Sequence, residues 1–522
     1  MGWARDRTLS VPKSGECDVL VLGCGLAGLA AAVAAVREGA RVTLVCAGPR
    51  FSGSSFYPGT WGLGLVGPDG KADEADLEAT IERVGCGVAD PALVRTLVSG
   101  ITPAVARLRE MGVALREPAR ASQREYIPCF DHKHRSWHGV EAPSVRASFG
   151  RALDELGVRV LPGASAVRIA RQDGRACGAV LSTADGLGFV GSRAVVLATG
   201  GYGALFGRHL CTPDVAGVGQ GLALEAGCEL VNMEFMQMMP GYVWPRRALG
   251  TVFNEKTFRW ASLAGADGTP LLGGNAGRAA ELLDMRSGYG PFTSRLASRE
   301  VDLAIADAGP DGAWVSYDPT LAARMPEFVR TYFDWLARER GLAVGDPARI
   351  ALFAHAANGG VRIASDASTA LAGLFAAGEV AGGMHGADRL GGLSSANCLV
   401  FGHIAGVSAA HACEVAPPPP ASATVDALAP VAPGAPGRLK GAMSRTAMVR
   451  RDEAGLAAAL AVVGELDEGL VPDGPSDEAA CGHELARSLG FRAQLACARA
   501  VLEAARARSE SLGSHYRADA GV

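Results

Sequence analysis

Near its start this chain alternates apolar and punctuating residues in blocks of fixed length. Val19–Leu22 is an apolar run of strand length closed by glycine, and Leu26–Arg37 is an alanine-rich run of helical length. Gly39 punctuates, and Arg41–Val45 is a second apolar strand. That order and spacing predict a βαβ unit. Gly23, Gly25 and Gly28 all fall at the strand-to-helix turn. There Gly23 permits the tight turn, Gly25 lets backbone approach a pyrophosphate, and Gly28 lets helix and strand pack closely. The pyrophosphate would sit at the positive end of the helix dipole, against Leu26 and Ala27. The acidic residue expected about 20 positions on, for a ribose hydroxyl, is missing, and Cys46 ends the second strand.

Further along, Val195–Leu197 is another strand, followed by Ala198-Thr199-Gly200-Gly201, where backbone can approach a ligand closely. With the earlier apolar run Val158–Leu161 it suggests a second strand layer around the same ligand. The segment Phe51–Gly70 is rich in Gly and Ser and reads either as a loop along the ligand or as plain surface. Its Ser54, Ser55, Gly59, Thr60 and Gly62, and Ala166 further on, are candidate ligand contacts. Residues 237–349 are less regular and rich in tryptophan, as expected of an inserted cap. Pro417–Pro420 opens a stiff, extended linker, and Leu439–Asp467 and Glu484–Leu512 read as alanine-rich helices. The expected division is 15–236 and 350–415 for the ligand-binding domain, 237–349 for the cap, 416–437 for the linker and 438–522 for a helical domain.

Composition narrows the class. With 522 residues, 48% hydrophobic, the chain can bury a large core across two or three domains. A net charge of −4 and no long basic run argue against nucleic acid or an anionic membrane as partner. Twelve cysteines without one C-x-x-C pair argue against an iron–sulfur cluster, structural zinc or a secreted disulfide scaffold. The polar stretch Met1–Cys17 lacks a signal-peptide core, and Leu26–Val36 is too short to span a bilayer. A soluble, cytoplasmic protein is expected, with peripheral docking to a membrane complex left open. Cys129, His132, His134 and His138 form a polar cluster whose spacing fits no common metal site, so no metal is expected.

A second glycine-rich segment, Gly373–Glu379 continuing through His385-Gly386-Ala387-Asp388-Arg389-Leu390-Gly391-Gly392, sets a carboxylate, a histidine and an arginine just before a helix start. With the opening Gly23-x-Gly25-x-x-Gly28, the Ala198-Thr199-Gly200-Gly201 segment and the ending Ser509–Arg517, it resembles the flavoprotein family of fumarate reductase, succinate dehydrogenase and L-aspartate oxidase. The resemblance covers most of the chain. It implies an α/β fold: a Rossmann-like FAD-binding domain interrupted by an α+β capping domain, with a C-terminal helical region. It also implies FAD, held noncovalently because residues 51–70 contain no histidine to attach it. Thr199, Gly200 and Glu379 would contact FAD, and Ser394 and Ser395 would start the helix beneath the flavin. Leu393 replaces the asparagine usual at that turn.

In this family a hydride passes between flavin and a carbon beside a carboxylate, while a proton moves at the neighbouring carbon. Arginine suits a carboxylate bidentately. Arg389 matches the family's carboxylate holder; its alternative is an ion pair with Asp388 or Glu379. His355, before Gly359-Gly360-Val361, matches the second holder, although a lone histidine is more often structural. Arg299 is similar to the proton-delivering arginine and would need a carboxylate relay with Glu255 or Glu300; Arg295 and Arg286 are rivals. Met239 stands where the family has a histidine, in Phe235–Pro240, and cannot donate to a carboxylate. The substrate would then carry a carboxylate at one end and a softer or bulkier group at the other.

The expected function is an FAD-dependent oxidoreductase acting on a CH–CH or C=C group beside a carboxylate. One alternative is an amino-acid oxidase like L-aspartate oxidase. Another is an FAD-binding electron-transfer or structural subunit without a substrate of its own. Electrons would come from a separate iron–sulfur or haem partner, or from a soluble donor.

Overall fold

The computed structural model describes residues 8–117, 130–131, 133–318, 320–472 and 482–520. The expected βαβ unit is present as strand Thr8–Leu22, helix Leu26–Arg37 and strand Val42–Cys46. The two strands pair in parallel, Val19 opposite Val42 through Leu22 opposite Val45. All of Val42–Cys46 is buried, which explains its unbroken apolar run. Gly186–Leu197 pairs in parallel on the other side of Thr8–Leu22, and Leu374–Ala376 pairs with Val195–Leu197. Leu22, Val45, Leu197 and Ala376 are register mates. The parallel strands therefore end level, which is where open α/β sheets bind ligands.

Three expectations change. The run at Val158–Leu161 forms a strand, Arg159–Pro162, but it extends the same sheet beside Val42–Cys46 and opens no second layer. It is partly exposed, as an edge strand is. Within 416–437, Ser422–Asp426 is a strand paired antiparallel with Thr8–Pro12, so this stretch is more than a linker. The cap sheet runs, in order, Met236–Trp244, Ala348–Ala357, Ala313–Tyr317 and Ala261–Ala264. It continues to Ala357, past the boundary expected at 349, because Ala348–Ala357 pairs along its length with Met236–Trp244.

Helix Leu393–Glu414 is long and apolar enough to cross a membrane, yet most of it is buried inside the protein. It packs on Leu26–Arg37 through a seam of small residues. A Cβ on Gly402 would lie 2.6 Å from Ala27 O, and one on Gly406 2.3 Å from Ala31 O. Close approach of these helices fixes where Leu393–Glu414 begins, and that start is at the site. The cap and the C-terminal helices Ala435–Thr446, Glu453–Glu468 and Gly482–Ala507 share one apolar core, with Phe253, Tyr332, Leu439 and Val501 among its members.

Candidate active site

A cavity of about 780 Å³ lies at the level ends of the parallel strands. Of the residues expected to meet the cofactor, Gly23, Gly25, Leu26, Ala27, Ser54, Ser55, Thr60, Gly62, Ala166, Thr199, Gly200, Glu379, Ser394 and Ser395 line it. Gly28 and Gly59 stand behind the wall. Gly28 does its packing work there, since a Cβ would fall 1.8 Å from Gly23 O. Gly59 accepts the Val252 N–H at 2.9 Å, tying the loop to the cap.

The cavity suits a phosphate-bearing dinucleotide. Gly23 has φ +117°, and a Cβ on it would sit 2.1 Å from Ala198 O. Helix Leu26–Arg37 begins at the cavity without a carboxylate in its first turn. Its Leu26 N–H donates to Ser55 Oγ at 3.2 Å. Ser54 Oγ and Thr199 Oγ1 are buried without a hydrogen-bond partner among the described residues, two polar atoms waiting for a ligand acceptor or donor. Cys46, fully buried at the end of its strand, offers no carboxylate to a ribose. Ser52 and Ser165 are polar residues that line the cavity.

At the cavity's other functional end, helix Leu393–Glu414 starts from Gly392, whose φ is +78°. Ser394 and Ser395 in its first turn bring unpaired helix N–H groups and the positive dipole end to the cavity. Glu379 faces the same space and accepts the Ala357 N–H at 2.8 Å. Burial pushes its carboxyl up, against the pull of that N–H and of the Arg389 charge.

Arg389 is 7% exposed and lines the cavity. Its Nε donates to Gln237 Oε1 at 3.0 Å and its Nη1 to Leu390 O at 3.2 Å. Asp388 pairs elsewhere, accepting from Thr293 Oγ1 at 2.8 Å and Arg295 Nε at 2.9 Å. His355 lines the cavity too, and its Nδ1 has no partner among the described residues. Burial, helped by the Arg389 charge, pushes its imidazole down to about 3, so it is a neutral donor at physiological pH.

Glu255 opens the short helix Glu255–Trp260 and also lines the cavity. Burial raises its carboxyl, opposed by its own backbone N–H and by Arg286 and Lys256. Arg286 is fully buried and grips Asp302 in a fork, Nε to Oδ2 at 2.7 Å and Nη2 to Oδ1 at 3.0 Å. Arg299 is placed differently from the expectation. It is exposed at the start of helix Arg299–Asp307, donates to Ser294 O at 2.9 Å and is outside the cavity wall. In the polar cluster, Cys129 and His132 lie outside the described residues, while His138 shares a 3.1 Å hydrogen bond with Ser136 Oγ.

Gln237 was not among the residues expected at the site. Its signal was a lone amide within the buried run Met236–Tyr242. The aromatic residues Tyr57, Trp61, Trp137 and Tyr332 also line the cavity, and no local pattern marked them.

The FAD binding domain family model matches residues 18–395, and the model described as fumarate reductase flavoprotein C-term matches residues 437–521. The chain belongs to this flavoprotein family. It is 32% identical to the L-aspartate oxidase of Mycobacterium leprae over 96% of this chain and 91% of that one. It is 29% identical to one subunit of the fumarate reductase (CoM/CoB) of Methanothermobacter marburgensis, over 76% of this chain and 72% of that one. In fold it is similar to Mycobacterium smegmatis Sdh1, with a TM-score of 0.78 at 24% identity, covering 97% of this chain and 89% of that one. The chain is therefore an FAD-binding oxidoreductase of the fumarate reductase and succinate dehydrogenase flavoprotein type, with L-aspartate oxidases among its relatives. The cavity offers helix-start amides and hydroxyls at one end and a second helix start at the other.

Proposed function

We propose that this flavoprotein moves a hydride between FAD and a carbon–carbon bond beside a substrate carboxylate. The observation that carries this reading is the pairing of buried Arg389, its guanidinium held by Gln237, with neutral His355 on one cavity wall. Bound FAD supplies the hydride donor or acceptor. Reduction adds a hydride to one carbon and a proton to its neighbour, and oxidation removes both. Arg389 and His355 hold the carboxylate and orient the bond, one as a charged fork and one as a neutral donor. As charge builds on that carboxylate in the transition state, these fixed donors stabilise it.

Glu255 is the group we assign to the proton. It lines the cavity, and its raised carboxyl holds a proton closer to neutral pH than a surface glutamate does. Arg286, its charge paired with Asp302, only partly offsets that rise. Arg299, exposed and bonded to Ser294 O, is less well placed for this step. Electrons reach FAD from a separate partner or soluble donor, a reading supported by twelve cysteines without a C-x-x-C pair.

Dithionite-reduced protein, mixed anaerobically with α,β-unsaturated carboxylates, tests the proposal. Reoxidation of the flavin by one such acid is expected, and a flavin that no carboxylate reoxidises or bleaches overturns it. The 32% identity to an L-aspartate oxidase favours one second reading, oxidation of an amino acid to an imine. Bleaching of the flavin by aspartate, with peroxide formed in the presence of oxygen, would establish that reading instead.

A further inference from the structure

Beside the Arg389 and His355 pair, the cavity wall changes chemistry. Met239 sits opposite Phe353 on the strand that carries His355, and both Met239 and His355 line the cavity. Met239, Leu210, Ala351 and Phe353 form a small apolar cluster, with Tyr57 and Val252 packed against it. A thioether has no hydrogen to donate. Trp61 extends this surface, meeting Phe328 edge-on at 4.8 Å and Tyr332 at 6.3 Å, and all three line the cavity.

The hydroxyls in this wall are already used. Tyr57 Oη donates to Gly250 O at 2.6 Å, and Tyr332 Oη donates to Val252 O at 2.9 Å. Both phenols give their proton to backbone carbonyls of the cap, so the cavity meets their rings and not a donor. An ionised carboxylate set against Met239 and these rings would lose its water without gaining a partner, which is strongly unfavourable.

We propose that the substrate carries a single carboxylate and, at its other end, an apolar group of about ring size. In chemical class it is an aryl-substituted propanoate or propenoate, and Met239 is the specificity-determining residue. This inference rests on the carboxylate reading of Arg389 and His355. Three further cations reach the cavity, Arg116, Lys440 and Arg487. The Arg116 guanidinium lies over the rings of Trp61 at 5.2 Å and Trp137 at 5.1 Å, with Glu141 at 3.8 Å. Two π-faces and a carboxylate thus already surround its charge. Lys440, on helix Ala435–Thr446, and Arg487, on helix Gly482–Ala507, are the other rival anchors for a second carboxylate.

The test uses the full-length FAD-loaded protein. In its oxidised form, 3-phenylpropanoate and succinate are titrated against the flavin spectrum. In its reduced form, 3-phenylpropenoate and fumarate are compared as flavin reoxidants. The phenyl acids should win by about 10–100-fold in Kd and in kcat/KM, the value of burying one phenylalanine-sized group. Met239→His should shrink or reverse that preference, and Met239→Leu should keep it. Preference for the dicarboxylates, unchanged in Met239→His, overturns the inference while leaving the carboxylate reading intact. If Arg116→Met, Lys440→Met or Arg487→Met then abolishes that dicarboxylate preference, the second carboxylate binds there. If neither kind of acid perturbs or reoxidises the flavin, the carboxylate reading fails, and this inference fails with it.

Discussion

The Gln237 amide and Arg389 hold each other at two points. Arg389 Nε donates to Gln237 Oε1 at 3.0 Å, and Gln237 Nε2 donates to the Arg389 carbonyl at 3.3 Å. Only one orientation of the amide satisfies both bonds, so the guanidinium plane is fixed before any substrate arrives. The two residues are 152 positions apart, on the cap strand and on the turn before the long helix. The clamp therefore couples the placement of strand Met236–Trp244 to the proposed carboxylate site.

Gln237→Leu keeps the size of the side chain and removes the acceptor. A hydrogen bond to a charged group contributes about 1.5–3 kcal/mol. The Kd of the carboxylate ligand should rise by roughly 10–100-fold. A flavin-perturbation titration reads this directly, and FAD content should stay at the wild-type level.

The pH dependence of binding reports on His355. An ordinary histidine with a pKa near 6.5 would lose its proton across neutrality, and an anion would bind more weakly as pH rises. His355 is held down to about 3, so it is already neutral and loses nothing in that range. The Kd of a saturated carboxylate should therefore stay flat between about pH 6.5 and 8.5, where the histidine of reference pKa would still be titrating. Progressive weakening through that window that disappears in His355→Gln would show that His355 binds as a cation; weakening that persists there would report the raised carboxyls of Glu255 or Glu379.

The small-residue seam offers a stability test remote from the chemistry. A Cβ on Gly406 would lie 2.3 Å from the backbone oxygen of Ala31, and backbone cannot swing aside. Gly406→Ala should cost about 1–3 kcal/mol, as overpacked cores do. A lower thermal midpoint and weaker FAD retention are expected together, because the same helix starts at the cavity.

Thr199→Val probes the cofactor end. Its hydroxyl is buried and has no partner among the described residues, while the valine is nearly the same shape. If that hydroxyl binds FAD, the FAD Kd should rise by about 3–10-fold, the net value of one hydrogen bond. Equilibrium fluorescence titration of the apoprotein measures it.

Much of this site was legible in the sequence because its chemistry is local. Gly23, Gly25 and Gly28 sit at fixed offsets in one turn, and Glu379 to Ser395 span a single turn-to-helix passage. Elements set by long-range pairing were less legible. The strand Ser422–Asp426 exists because Thr8–Pro12 lies beside it, more than 400 residues away in sequence. Gln237 becomes a clamp only when Arg389 is brought to it, and Tyr57 and Tyr332 become bare rings only when cap carbonyls take their hydroxyls. For Arg299 the chain position alone does not say which way the side chain leaves the helix start, where it bonds to Ser294 O.

The most direct measurement is the anaerobic reoxidation rate of reduced, FAD-loaded protein by the unsaturated carboxylates it accepts, wild type against Arg389→Met. Wild type should be reoxidised, and Arg389→Met should bind FAD equally while reacting at least about 100-fold more slowly, as when a buried charged donor is removed. An Arg389→Met protein that reacts at the wild-type rate would show that the carboxylate is held elsewhere and would contradict the proposed site.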